Sequence, residues 1–236
     1  EFTQPADGAF TGGKLEGRGY TVLETVDEDK WRAHLNGETG LGIVPIRDDA
    51  TCQWGCIDID SYSVDIPALE ARCKDLGLPL IPARSKSGGA HLFVFTESLP
   101  AALMRQRLMQ FAAALGHPGV EIFPKQVQLA NDRDVGNWLN MPYFNAEKGE
   151  TNRYAIIGGK PATLAQFVQR AEKLRAMLTA ETFEAIEVKE ESEFADGPPC
   201  LQALAQGGVP EGTRNNGLFA FGVYARLKFA DDWKAK

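Results

Sequence analysis

The order of apolar and polar residues predicts alternating strands and helices over the first 180 positions. Residues 20–25 (YTVLET), 40–46 and 53–60 (QWGCIDID) are β-rich runs of strand length. Residues 27–35 (DEDKWRAHL) open on acids, place Trp31 and Leu35 one helical turn apart and stop at Asn36-Gly37, which reads as a short helix. Residues 66–76 form a second helix, closed by Gly77. Segments 80–84 and 91–95 (HLFVF) read as strands joined through a Ser-Gly-Gly turn, and the apolar stretch 101–115 as a helix closed by Gly116. Short strands are expected at 120–123, 126–130, 138–144 and 154–157, and Thr163 caps a helix running through 178. Such alternation predicts an α/β or α+β sheet domain.

The flanks differ from this core. Residues 1–18 are rich in Gly, Thr and Pro and read as a flexible leader, without the basic and apolar regions of a signal peptide. Residues 181–197 read as an acidic linker, and 198–236 as a helical module in which Thr213 caps a helix over 214–229. The core is expected to span 19–180, and the natural chain to continue past the final DDWKAK.

Composition adds limits. A hydrophobic content of 44% and a charged content of 24% in 236 residues describe an ordinary globular chain. No apolar run approaches the roughly 18 residues that suggest a membrane span. Four cysteines at this length are no disulfide scaffold. Cys52 and Cys56 stand C-x3-C without the second Cys or His pair of a structural zinc site, so buried thiols in a reducing cytosol are expected. A net charge of −7 at first disfavours a nucleic-acid ligand. Residues 181–196, however, hold seven acids against one lysine, a net of −6 that leaves the rest of the chain at −1. A near-neutral body can carry a local basic groove.

Three segments carry candidate chemistry. Asp58-x-Asp60 ends an apolar strand, and residues two apart on a strand point to one face. Two carboxylates so placed repel unless cations lie between them, and Mg²⁺ or Mn²⁺ prefer such oxygen ligands. Alone, the pattern also fits a solvated strand end. The second segment, Arg84-Ser-Lys86-Ser87-Gly88-Gly-Ala-His91, sets cations, hydroxyls and glycines between two strands. Glycine backbone lets amides approach an anion, while a charged hairpin with a core histidine is the alternative. If the strand runs on, Arg84 and Lys86 share a face. In the third, Glu121 lies among apolar neighbours on a strand, followed by Lys125 and Gln126.

In this order the segments resemble the motifs of the archaeo-eukaryotic primase superfamily: a DxD, a Ser–His segment and a third acid. With His34-Leu-Asn-Gly37, Gly42-Ile-Val-Pro45, Asp48-Asp-Ala-Thr-Cys52, Phe123-Pro-Lys-Gln126 and Gly136-Asn-Trp-Leu-Asn-Met-Pro142, the chain looks like the primase domain of TOTE conflict systems and related phage primase-polymerases over residues 20–180. The resemblance implies an α/β (α+β) primase-like catalytic core with an RRM-like sheet, followed by a small C-terminal helical module. It implies template-directed transfer of nucleotides from triphosphates by a DNA primase or polymerase in a bacterial or phage-infected cytoplasm. Asp58, Asp60 and Glu121 match the carboxylates that hold Mg²⁺ or Mn²⁺. Arg84, Lys86, Ser87, Gly88 and His91 match the segment that grips the incoming nucleotide, with Lys125 and Asn137 as further nucleotide contacts. Implied partners are a single-stranded DNA template, NTP or dNTP, and a helicase that follows this segment in the same polypeptide or joins it as a separate protein. Two positions depart from the pattern: Glu121 stands where many relatives have Asp, and the serine–histidine spacing is widened by Gly-Gly-Ala. The phosphate contact therefore falls either to Ser87 or to a glycine amide. Competing readings are a metal-dependent nuclease using the same acids with Lys125, and a non-catalytic nucleotide-binding replication module.

Overall fold

The computed structural model describes residues 25–61, 64–131 and 134–188 in full, the backbone of 9–12, and positions 201, 219–224 and 226. The chain divides into two compact units, Glu1–Lys189 and Glu190–Lys236. The described residues of the second unit are helical. Among the described residues no helix is long and apolar enough to cross a membrane.

The first unit is built around a four-stranded antiparallel sheet. In chain order its parts are β1 (Ala9–Gly12), α1 (Glu28–Leu35), β2 (Gly40–Ile43), β3 (Thr51–Ile59), α2 (Ile66–Asp75), β4 (Ile81–Arg84), β5 (Ala90–Pro100), α3 (Ala101–Ala114), β6 (Glu121–Phe123), β7 (Leu139–Asn140), β8 (Ile156–Ile157), β9 (Lys160–Pro161), α4 (Leu164–Met177) and α5 (Ala180–Glu184). The main sheet has the order β4-β5-β3-β6. With α2 between β3 and β4, and α3 between β5 and β6, this is the β-α-β-β-α-β plan of ferredoxin-like and RRM-like sheets. A second sheet, β1-β2-β7, and a hairpin, β8-β9, complete the unit.

Local chemistry starts the helices where the sequence predicts. Asp27 and Asp65 cap α1 and α2, accepting from Lys30 N and Ala68 N at 2.9 Å each. Thr163 and Gln166 form a reciprocal capping box on α4. One sheet face packs on α3, which approaches so closely that a Cβ on Gly55 would lie 2.7 Å from Met104 Sδ and from Leu108 Cδ1. The other face carries Phe93 and Phe95, which meet Phe167 of α4 edge-on at 6.0 and 5.7 Å. Cys52, Cys56 and Cys73 are buried free thiols, and burial pushes those of Cys52 and Cys73 up to about 12.

Several expectations need correction. Residues 9–12 are not leader but strand, paired with β2 in the register Ala9↔Ile43 to Gly12↔Gly40. Residues 126–130 form bends, because Gln126 turns to Asn137 instead of a neighbouring strand. Of 138–144 only Leu139–Asn140 is strand, while Tyr143 and Asn145 take positive φ. The acidic stretch begins as α5, with Phe183 fully buried against Phe111. The strand expected at 20–25 lies outside the described residues except for Thr25, and so do most of 189–236, including Thr213 and Cys200.

Candidate active site

Strand register assembles the site. β3 lies between β5 and β6, so Asp58 stands opposite His91 on one side and opposite Glu121 on the other. Cross-strand partners share a face, which puts Glu121, Asp58 and His91 in one row across three strands. The row continues through Ala83 of β4, opposite His91, to Ala155, bridged to Ala83. Asp60 lies one step past the end of β3, on the same side by alternation.

Within the row the side chains differ in freedom. Asp58 is 14% exposed and His91 9%, with Nε2 of His91 3.3 Å from Asp58 Oδ1. That contact is an ion pair only when the imidazole is protonated, and its geometry is not that of a hydrogen bond. Among the described residues, Oδ1 of Asp58 is thus a buried carboxylate oxygen that accepts no hydrogen bond. Such an oxygen is costly to bury without a partner. Glu121 is open, at 58% exposure, and its Oε2 pairs with Lys125 Nζ at 2.8 Å. Lys125 also lies over the Phe123 ring, 5.0 Å from its centroid. Arg105 of α3 donates to Ile122 O and Pro124 O and so holds β6 in place.

The turn after β4 closes beside Asp60. Gly88 N–H donates to Ser85 O, and Ser85 N–H to Gly89 O. Gly88 takes φ +95°, a conformation that favours glycine. Ser87 Oγ reaches Asp60 Oδ1 at 3.5 Å and Ser85 Oγ at 3.1 Å. The strand stops at Arg84, so the condition for Arg84 and Lys86 to share a strand face is not met. Register instead turns Arg84, opposite Ala90, away from the face of His91, and its guanidinium lies against Gly88. Asn137 exchanges hydrogen bonds with Gln126. None of these ten candidate residues lines the cavity of about 360 Å³ farther along the same face, among Trp31, Trp54, Phe93, Phe95, Tyr143 and Phe167.

Residues 13–157 match the family model of the TOTE conflict system archaeo-eukaryotic primase domain. The chain belongs to this family. No curated protein matches it. Among solved structures it is similar to the AEP domain of the primase-polymerase of cyanophage S-2L, at 12% identity and a TM-score of 0.39, over 71% of this chain and 90% of that one. The mixed helix and sheet architecture is that of the primase fold, and the family is one of primase-like nucleotidyltransferases.

Primase-polymerases of this superfamily generally use divalent metals. Asp58 fits such an ion: its buried Oδ1 lacks a donor among the described residues, and a hard cation is the partner such an oxygen prefers. Asp60 shares its side of the sheet. Glu121 stands next to Asp58 in register but is engaged by Lys125, and among the described residues no three acids, histidines or cysteines already converge as a metal cluster.

One buried cation of this unit escapes sequence reading. Arg153 sits in Thr-Asn-Arg-Tyr, a segment without periodicity or motif, and is buried at 8% exposure. Only the backbone register brings it to this sheet.

Proposed function

We propose that this primase domain is a template-directed nucleotidyltransferase that joins nucleotides from triphosphates onto a DNA strand, with Asp58, Asp60 and Glu121 as its metal-holding carboxylates. The observation that carries the reading is the row Glu121–Asp58–His91, with an unsatisfied Asp58 oxygen at its centre and the Ser85–Gly89 turn at its edge. Bound Mg²⁺ or Mn²⁺ would supply charge neutralisation of the triphosphate and a lowered pKa for the attacking 3′-hydroxyl. The chain's own groups do the rest. His91 limits the room beside Asp58 and lends positive charge when protonated. The Ser87 hydroxyl and the glycine backbone offer short, uncharged contacts to phosphate oxygens, and Lys125, once it leaves Glu121, offers a cation.

The deciding experiment is incorporation of labelled nucleotides on a single-stranded template, with and without primer, in Mg²⁺ or Mn²⁺. Wild-type chain extends. Asp58→Ala and Asp60→Ala lose more than about 100-fold, since even partners outside the metal's direct ligands cost 10–100-fold. Template degradation without extension would establish the nuclease instead, and nucleotide binding without turnover the non-catalytic module. Template binding rests on backbone phosphates and falls steeply with salt.

A further inference from the structure

Arg105 is a cation turned to backbone. Its Nη1 donates to Ile122 O at 3.2 Å and to Pro124 O at 3.3 Å, and among the described residues its guanidinium pairs with no carboxylate. Hydrogen bonds from a charged donor are stronger than neutral ones. The helix that carries it is fixed: Met104 and Leu108, which flank Arg105 in α3, are fully buried and pack on Gly55 of β3. From that set point the half-buried side chain spans to β6.

The strand it reaches has little else to hold it. β6 is 3 residues long, stands at the edge of the main sheet and is paired with β3 alone. Pairing on one side must therefore set its register, and a slip of one residue would turn Glu121 to the opposite face. The two carbonyls lie where such a slip starts. Ile122 follows Glu121 directly, and Pro124 directly precedes Lys125. Arg105 thus grips the backbone beside both members of the Glu121–Lys125 ion pair, and it does so in the strand that sets Glu121 opposite Asp58. Groups that share a metal must be held to within roughly 0.5 Å, which a short edge strand does not secure unaided.

We propose that Arg105 is a positioning residue for the metal site, which sets the affinity for a divalent cation by keeping Glu121 in register with Asp58. It acts through the β6 backbone and touches neither metal nor substrate. The inference rests on the reading of Glu121 as a metal-holding carboxylate of a nucleotidyltransferase, and its test separates the two. The probe is Mn²⁺ alone, titrated into the full chain and followed by the paramagnetic resonance of the free ion. Arg105→Met keeps the length of the side chain and removes its donors. It is expected to weaken Mn²⁺ by roughly 10- to 100-fold, the range for groups that orient metal ligands. Arg105→Lys can still donate to one carbonyl and recovers part of the loss. Added to Glu121→Ala, Arg105→Met weakens Mn²⁺ no further, because residues that act through one another are not additive. In primer extension, Arg105→Met raises the Mg²⁺ concentration needed for half-maximal rate, and saturating Mg²⁺ restores the rate toward wild type. A purely structural arginine gives a lowered melting temperature with the Mn²⁺ affinity of the folded protein intact, which overturns the proposal. So do losses that add in the double variant, or a wild-type chain that binds no Mn²⁺. Arg105→Gln, too short to span to both carbonyls, takes the place of Arg105→Met if that variant does not fold. If wild type incorporates nucleotides while Arg105→Met leaves Mn²⁺ affinity and Mg²⁺ requirement untouched, the inference fails and the enzyme reading stands. If Arg105→Met loses Mn²⁺ as expected but no chain incorporates nucleotides, the enzyme reading fails and the inference stands.

Discussion

His34 is fully buried, and both ring nitrogens are engaged. Leu41 N–H donates to Nδ1 at 2.9 Å, which leaves the proton on Nε2 to be donated to Pro142 O at 2.8 Å. Burial, with the nearby positive charge of Arg153 adding to it, lowers the pKa from 6.5 to about 4. The folded state therefore binds this proton less readily than the unfolded chain. The stability His34 contributes is complete above about pH 6.5 and is lost as pH falls toward about 4, by roughly 3 kcal/mol at most. Urea unfolding of wild type and His34→Asn at pH 7.0 and 4.5 checks this. The variant should be weaker by about 1–3 kcal/mol at pH 7.0, and the gap should shrink or close at pH 4.5; a constant gap refutes the assignment. The contrast with Arg153 shows what single residues reveal in sequence. His34 lies in a recognisable His-Leu-Asn-Gly segment, and Asp58 and Asp60 in a patterned pair. Arg153 acquires meaning only from burial and from a bridge between distant segments, which no local spacing encodes.

Among the elements, those with their own punctuation were legible. The four longer helices announce themselves by caps at Asp27, Asp65 and Thr163, by apolar spacing, and by glycines at positive φ after α1, α2 and α3. β1 and α5 were not, because their stability comes from partners: β1 exists by pairing with β2, and α5 by burying Phe183. The turn between β4 and β5 was legible in composition but not in its closeness to β3. A Cβ on Gly89 would fall 2.2 Å from the carbonyl oxygen of Ile59, the residue between the two aspartates. Backbone cannot yield there as a flexible side chain does, so Gly89→Ala must part the turn from Asp58 and Asp60. Nucleotide incorporation should drop about tenfold or more. Gly55→Ala is the comparison, since its Cβ meets only the side chains of Met104 and Leu108 on the opposite face. It should cost about 1–3 kcal/mol of stability by overpacking and leave the rate per folded molecule near wild type. Equal rates for the two variants, scaled to folded protein, would mean that the turn does not serve the site.

At the scale of the whole molecule, the boundary between the two units decides what the acidic segment is. Composition alone makes residues 181–197 a tether, with most of the chain's net −7 gathered there. Packing divides that segment instead. Leu178 O accepts from Glu97 N–H of β5, Phe183 meets Phe111 edge-on at 5.7 Å, and Arg107 donates to Ile186 O. The compact unit accordingly runs to Lys189. Two shortened chains test this. A chain ending at residue 188 should melt within about a degree or two of the full chain's first transition. A chain ending at 178 exposes the seat of Phe183, a loss of about 3–5 kcal/mol by analogy with emptied phenylalanine sites. At this size each kcal/mol is worth about 2–4 °C, so its melting temperature should fall by roughly 6–20 °C. If both melt alike, the contacts of α5 add nothing and the composition reading returns. The 1–188 chain also assigns tasks between the units. All ten candidate nucleotide and metal residues lie within it, so extension of an existing primer should survive the truncation. Any activity that survives only in the full chain, such as starting a strand without a primer, then requires residues 189–236.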